Sequence, residues 1–525
     1  MRDYGKLVRV VGGSKVAMLL VTTSRSKCLT PYARQFVKIR QLTQRTLPPE
    51  GDLGTLPPPR IDFRSIIENE EYHKTNIEHR KLPNAEGLLD KIRNLHEKHM
   101  TVLSGVNEAR REQNELTDAV KLANTPKEKE VAVTRAKKLS SNLKNFLMIQ
   151  EPMSMGILRE LTELGLKVPN ITHPAVPIGP EACANTLSVH GPAPIQTTSA
   201  RDHWKIGKEL DIIAFEEAAQ VTGSAWYYLK GAATLLEQAL VNYALSIAIK
   251  HGYTPVATPD VVKSDYAARC GFTPRDRVGG HGPIVQHFYH LHDTSNNLVL
   301  AGTAEIPLAG MFAERVFKEK ELPCRLVGVG HAFRSEAGSR GAEARGLYRV
   351  HQFTKVELFA VTEQEQSSTM MEEIRRIQTE IFTGLGFPFR VLDMPTEELG
   401  HAAYRKYDIE AWMPGRGDWG EISSTSNCLD FQARRLHIRY RPVNCSSASG
   451  AVASKSKGLP FAHTLNGTGA AIPRLIVALL ENGAQLNEAE QVVGLVLPSV
   501  LRRFWLAGDT LGPYARITWA DSPTA

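Results

Sequence analysis

Four stretches of the chain carry side chains whose types and spacing could do chemistry. The first is Ala301-Gly302-Thr303-Ala304-Glu305, after the apolar run Leu298 to Ala301. A hydroxyl and a carboxylate two residues apart face one side of an extended segment and could bind an amine and a hydroxyl. A helix N-cap with an acid in the first turn accounts for the same residues equally well. The second is Phe333-Arg334-Ser335-Glu336, then a Gly- and Arg-rich loop (Ala337 to Leu347), then Tyr348 to Val361. Val350, Gln352, Thr354 and Val356 alternate there with His351, Phe353, Lys355 and Glu357, which predicts a hairpin with charges on one inner face. The Arg334 fork suits a phosphate, to which it can give two charge-assisted bonds. Gly338, Gly341 and Gly346 with Arg340 and Arg345 would let the loop close over a nucleotide. The alternative is a surface hairpin with cross-strand ion pairs; several charges and Phe353 on one face favour a site.

The third stretch is Gly420-Glu421-Ile422-Ser423-Ser424-Thr425-Ser426-Asn427. A carboxylate beside hydroxyls offers hard oxygen ligands for Mg²⁺; a polar strand end is the simpler alternative. The fourth is Leu465-Asn466-Gly467-Thr468-Gly469-Ala470-Ala471-Ile472-Pro473-Arg474, leading into an apolar helix. Its glycines let a ligand approach the backbone. Arg474 then sits in the first helical turn, where the dipole opposes a cation, unless an anion is bound there. Other nucleotide and hydrolase signatures are missing. The sequence holds no G-x-x-x-x-G-K-[ST], no G-x-S-x-G elbow and no zincin helix.

These residues need a scaffold, and the rest of the chain describes one. It has 525 residues, 42% apolar and 23% charged, which suits a globular protein of two or three domains. The apolar run Val16 to Val21 is far short of a membrane helix, so an integral membrane protein is excluded. The six cysteines contain no C-x-x-C pair, which argues against a disulfide scaffold or a close-spaced zinc site. The net charge of +7 is uneven. Residues 1–49 hold ten Lys/Arg against Asp3, and the remainder of the chain is slightly acidic. Basic, hydroxyl-rich and nearly acid-free, 1–49 reads as an organelle transit peptide, with a disordered or nucleic-acid-binding arm as the alternative. Pro48–Pro49 and Pro57–Pro59 mark a linker.

From Leu88 to Val120 apolar residues step by 4,3,4,3, a coiled-coil seam broken at Asn124-Thr125-Pro126. A second run follows through Ala136, Leu139, Leu143, Phe146, Met153, Ile157, Leu161 and Leu164. Two such helices predict an antiparallel hairpin, with Pro152 kinking or interrupting the second. Seven Lys/Arg against two Glu between Lys121 and Lys144 make its turn basic. A dimerisation coiled coil and an RNA-reaching arm are both compatible with that. Residues 168–199 read as a Pro-rich connector, 441–458 as a surface loop and 506–525 as a tail.

Together and in this order, the four stretches resemble class II aminoacyl-tRNA synthetases, and most of all mitochondrial-type seryl-tRNA synthetases. Motif 1 resembles the helix 231–250 with His251-Gly252-Tyr253, motif 2 Phe333 through Glu357, and motif 3 Asn466-Gly467-Thr468-Gly469 with Arg474. Asp430-Phe431-Gln432-Ala433-Arg434-Arg435 and the helical hairpin are seryl-type features.

The resemblance implies an α+β fold: an antiparallel class II sheet flanked by helices (200–505), a tRNA-binding hairpin domain (58–175), a transit peptide (1–49) and a tail (506–525). It implies ATP-dependent ligation of L-serine to tRNA(Ser) through a seryl-adenylate, by a homodimer in the mitochondrial matrix or, alternatively, the cytoplasm. An inactive or carrier-protein-charging paralogue is the alternative function. Arg334 and Arg474 would be catalytic. Thr303, Ala304, Glu305, Arg334, Glu357, Asn466 and Thr468 would bind serine. Arg334, Ser335, Glu336, Val350, Phe353, Glu421, Ile422, Ser423, Ser424 and Arg474 would bind ATP, with Glu421 and Ser424 holding Mg²⁺. Thr468 stands where many members have Ser, and keeps the hydroxyl.

Overall fold

The computed structural model describes residues 56–82, 85–123, 125–272, 288–292, 297–336, 346–443, 458–511 and 515–521. The basic segment 1–49, the loop residues Gly338, Arg340, Gly341 and Arg345, and 444–457 of the expected surface loop lie outside them.

Helix α1 (Leu88–Leu122) and helix α2 (Pro126–Leu166) form the expected hairpin, about 50 and 60 Å long at ~1.5 Å per residue. Local chemistry makes the turn. The Thr125 hydroxyl accepts from the Glu128 N–H (3.3 Å), and the Glu128 carboxylate accepts from the Thr125 N–H (3.1 Å). Pro126 takes the first helical position, where no N–H is needed. On α1 the buried residues Leu88, Ile92, His99, Val106 and Ala109 all lie on the expected seam. On α2 Leu161 is buried as expected, but around the middle of the helix the seam moves by one residue: Leu147 and Ser154 are buried, while Phe146 and Met153 are exposed. Phe146-Leu147-Met148-Ile149 is apolar at every position, so periodicity cannot choose the inward face and packing on α1 does. Pro152 does not interrupt α2. It lies on the exposed side, as does Met148, whose carbonyl loses its N–H donor.

The base of the hairpin has its own apolar cluster, including Ile66, Ile77, Ile92 and Leu161. Buried Arg80 fastens it to the rest of the chain, donating to the carbonyls of Gly400 (3.1 Å) and Ala403 (2.9 Å). The Asn170 amide donates to those of Ala402 and Cys428, both at 2.9 Å.

The larger body is an eight-stranded sheet. In chain order its strands are β1 (Asn185–His190), β2 (Thr254–Ala257), β3 (Cys324–Phe333), β4 (Gln352–Thr362), β5 (Phe389–Asp393), β6 (Arg405–Met413), β7 (Asp418–Asn427) and β8 (His463–Ala471). The spatial order is β1-β5-β6-β7-β8-β4-β3-β2, antiparallel except for the β3–β2 edge. Helices α3 (Ala232–Lys250), α4 (Ser367–Leu385) and α5 (Ile472–Gly483) cover one face. Val356, Leu358 and Ala360 of β4 pack into that helix-covered core. The strand period of two turns Phe353, Lys355 and Glu357 to the other face. Helix α3 is long and apolar enough to cross a membrane, but Leu236, Ala239, Leu240, Tyr243 and Ala244 are buried in this core.

Two boundaries differ from expectation. The supposed connector contains β1, an edge strand paired with β5. Its side chains are largely exposed, Leu187 and Val189 included, so its short alternation marks no buried face. The supposed tail contains Ala515–Ala520, paired parallel with Val492–Pro498. Leu511, Ala515 and Ile517 are buried against the core, and backbone pairing holds what composition alone does not mark.

Candidate active site

The chemistry-bearing stretches meet on the open face of the sheet. Thr468 on β8 lies opposite Glu357 on β4, and Asn466 opposite Ser426 on β7. Arg334 and Glu336 follow the end of β3. Glu336 adopts φ +44°, a left-handed conformation uncommon outside glycine and frequent at functional positions. Two adjoining cavities share Arg334, Glu336, Arg349, Glu421 and Arg474. One continues past Tyr348, Val350, Phe353 and Ser423, with Ile422 and Ser424 also in its wall. The other continues past Glu305, Asn466, Cys270 and Cys428.

Arg334 donates from Nε to the Gly302 carbonyl (3.2 Å), and its guanidinium lies 5.4 Å from the centre of the Phe353 ring. Burial, and then Arg474 beside it, pull its pKa down. It is a cation held where cations are unfavourable, which an anionic ligand would relieve. Arg474 answers the question its helix position raised. Its Nη1 donates to the Glu421 carboxylate and carbonyl, both at 2.9 Å, and Nε donates to the Tyr348 carbonyl at 3.2 Å. Burial alone would raise the Glu421 pKa. Arg474, Lys406 and Arg334 outweigh it and hold the carboxyl at about 2. Ser424 is on the same strand and in the same cavity wall. An always-ionised carboxylate with a nearby hydroxyl is a hard-oxygen pair that fits Mg²⁺.

At the other end, Thr303 and Glu305 are not on an extended segment. Glu305 opens the short helix Glu305–Gly310 with Ala304 as its N-cap, and the Thr303 hydroxyl accepts from the Glu305 N–H (3.3 Å). The capping alternative therefore describes the backbone, yet both side chains still face inward. Thr303 donates to Glu357 (3.2 Å). The Lys355 ammonium lies 2.5 Å from the same carboxylate and 3.2 Å from the Thr303 hydroxyl. Glu305 accepts at one oxygen from Gln432 (2.5 Å) and Asn466 (2.9 Å). The Ser423 hydroxyl donates to the Thr468 carbonyl (2.6 Å), bracing β7 on β8. Thr303, Ala304, Ser335 and Glu357 line neither cavity among the described residues, and Thr468 lines the one that holds Tyr348 and Phe353. Sequence reasoning passed over Lys355, Tyr348, Arg349 and Lys406 as site residues. Lys355 was findable, being two residues from Glu357 on one strand face.

Burial, then Glu357, push the Glu305 pKa up to about 7. An unfolded glutamate titrates near 4.3. Between those values the folded state holds more protons, so stability falls as pH rises from about 4 to 7 and levels off above. Glu305→Gln keeps the acceptor for Gln432 and Asn466 but removes the charge. It is expected to be more stable than wild type by ~3–4 kcal/mol at pH 8, the gain shrinking to ~1 kcal/mol at pH 5. Denaturant unfolding of both chains across that range checks it.

Known proteins match this arrangement. The seryl-tRNA synthetase N-terminal domain matches residues 61–172, and the class II core domain of the G, H, P, S and T synthetases matches residues 289–483. The serine–tRNA ligase of Rubrobacter xylanophilus is 40% identical over 458 residues, 87% of this chain and 100% of that protein. The chain belongs to the seryl-tRNA synthetase family. It is a class II serine–tRNA ligase. The mitochondrial serine–tRNA ligase of Schizosaccharomyces pombe is 39% identical over 451 residues, 85% of this chain and 89% of that one. The seryl-tRNA synthetase of Pyrococcus horikoshii, solved with ATP, superimposes with a TM-score of 0.69 at 31% identity, covering 85% of this chain and 98% of that chain. The expected antiparallel class II sheet flanked by helices is therefore the fold of this synthetase.

Proposed function

We propose that this synthetase works in mitochondria, activates L-serine as seryl-adenylate and passes it to tRNA(Ser), as a homodimer. The observation that carries the chemistry is the placing of Arg334 in the wall shared by both cavities. A group there can touch an amino-acid carboxylate and a nucleotide phosphate at once. The serine carboxylate oxygen attacks the α-phosphorus, and the bond to the bridging oxygen of pyrophosphate breaks. The Arg334 guanidinium holds both reactants and stabilises charge on the phosphate oxygens, so the step is positioning and electrostatics. A hydroxyl of the terminal tRNA ribose then attacks the seryl carbonyl carbon, and AMP leaves.

Phe353 would stack on the adenine and Glu336 accept from its amine, with Ser335, Val350, Ile422 and Ser423 around the nucleotide. Arg474 would reach the γ-phosphate side. Glu421 and Ser424 would hold Mg²⁺, which when bound supplies positive charge to the ATP phosphates. Thr303, Ala304, Glu305, Glu357, Asn466 and Thr468 would form the serine pocket. The Lys355 ammonium sits beside Glu357, where a substrate ammonium would compete for it. Residues 1–49 support mitochondrial import through their basic, hydroxylated composition, and the fission-yeast relative supports the same compartment.

Serine-dependent ATP–pyrophosphate exchange tests the activation step. Exchange is expected with serine and to be weaker by ~10⁴-fold with alanine, which leaves buried polar groups unpaired. Glycine should be inert, and threonine should be excluded by its extra methyl. A folded protein that exchanges with none of the four would move the assignment to the inactive paralogue. Import of the full chain into isolated mitochondria, with loss of the N-terminal segment, tests the compartment.

A further inference from the structure

Asp202, His203 and Glu481 lie outside the reactive cleft and bring three potential ligand atoms within 4.8 Å of one another. The spacing resembles a metal site, but the hydrogen bonds assign another role. The Leu347 N–H donates to His203 Nε2 (3.2 Å), so Nε2 carries the lone pair. The ring proton is therefore on Nδ1, which lies 2.8 Å from Glu481 Oε1 and donates to it. No ring lone pair is left to face a cation. Glu481 is itself fully used. Oε1 also accepts from the His203 N–H (3.3 Å), and Oε2 accepts from the Gly415 N–H (2.8 Å).

We infer that His203 is a positioning residue that clamps the returning end of the motif 2 loop to helix α5, and so sets the nucleotide side of the site. The contact is built for that purpose on both sides. Gly346 sits at φ +70°, and a Cβ there would lie 2.1 Å from His203 Nε2, so no larger residue fits over the ring. Leu347 is fully buried. The next residue, Tyr348, accepts from Arg474 through its carbonyl, and its ring centre lies 4.7 Å from the Arg474 guanidinium. Arg349 then pairs with Glu336 at 3.4 Å. Helix α5 thus grips one segment from both ends, with Arg474 in its first turn and Glu481 in its last. The serine-side residues Thr303, Glu305 and Asn466 hang on other elements. A loosened clamp should therefore disturb ATP and spare serine. This rests on 346–350 being the nucleotide side, as proposed above.

Two substitutions separate the halves of the clamp. His203→Gln keeps an acceptor near the Nε2 position for Leu347. His203→Asn keeps a group near Nδ1 for Glu481 but none for Leu347. In serine-dependent exchange, His203→Asn is expected to raise the KM for ATP about tenfold, with the KM for serine within twofold of wild type. His203→Gln should restore the ATP KM to within about threefold. Equal rises in both KM values, or an unchanged ATP KM in a folded His203→Asn enzyme, would overturn the clamp. Hydrogen exchange over 346–350 in the wild-type enzyme gives a reading free of any variant. Slow exchange at Leu347 is expected, and exchange at the rate of an unstructured peptide would refute it. Absence of exchange activity in the wild type would instead count against the proposed function.

Discussion

Arg334→Ala is expected to lower serine-dependent ATP–pyrophosphate exchange by ~10³-fold or more while leaving the chain folded. Removing one preorganised donor from a transition-state site commonly costs ~10²–10³-fold, and an arginine on a reacting phosphoryl group more. Here one side chain would serve both reactants, so the effect should be at the upper end. Stability should not follow activity. Burial and the neighbouring Arg474 disfavour the Arg334 charge, so its removal relieves a cost of the folded state. The thermal midpoint should stay level or rise. Arg334→Lys keeps the charge and loses the fork, and should fall between the two at ~10²-fold below wild type. Exchange within tenfold of wild type in the alanine enzyme would show that the phosphate contact lies elsewhere, with Arg474 the next residue to replace.

Shortening the helical hairpin should separate activation from charging. Removing residues 101–151 and joining the stubs by a Gly-rich turn leaves Pro152 at the start of the return helix, a position that suits it. The base cluster of Ile66, Ile77, Leu88, Ile92 and Leu161 remains, as do the Arg80 and Asn170 contacts. Exchange should stay within about threefold of the full enzyme. Aminoacylation of tRNA(Ser) should fall by ~10²-fold or more, because exposed Lys127, Lys129, Arg135, Lys137, Lys138 and Lys144 leave together. Lys137→Glu with Lys138→Glu in the full chain should weaken charging in the same direction, and less so at high salt, where the phosphate contribution is already screened. Unchanged charging by the shortened enzyme, together with a loss of dimer on sizing, would make the arm a dimerisation element instead.

Local signals carried far in this chain. The break at Asn124-Thr125-Pro126 and the 4,3 spacing of α1 depend on residues within one or two turns, and both are legible before any fold is known. The alternation from Val350 to Glu357 likewise places Phe353, Lys355 and Glu357 on one face, because a strand repeats every two residues wherever it lies. The four chemical stretches could be picked out by residue type, and their order pointed to the family.

Tertiary structure decided what those signals leave open. Four consecutive apolar residues at 146–149 do not say which one faces α1; packing selected Leu147. Strand β1 and the strand at Ala515–Ala520 exist because their backbones find partners about 200 and about 20 residues away, respectively, a fact their own residues do not record. Glu305 holds its proton to about pH 7 because the fold removes it from water and sets Glu357 near it, against the pull of the Gln432 hydrogen bond and the charges of Lys355 and Arg334. Arg474 stands at a helix N-terminus because Glu421, from strand β7, meets it there. Residue type and periodicity are local properties. Burial, and the company a charge keeps, depend on contacts between residues far apart in the chain, so they appear only when the chain is folded.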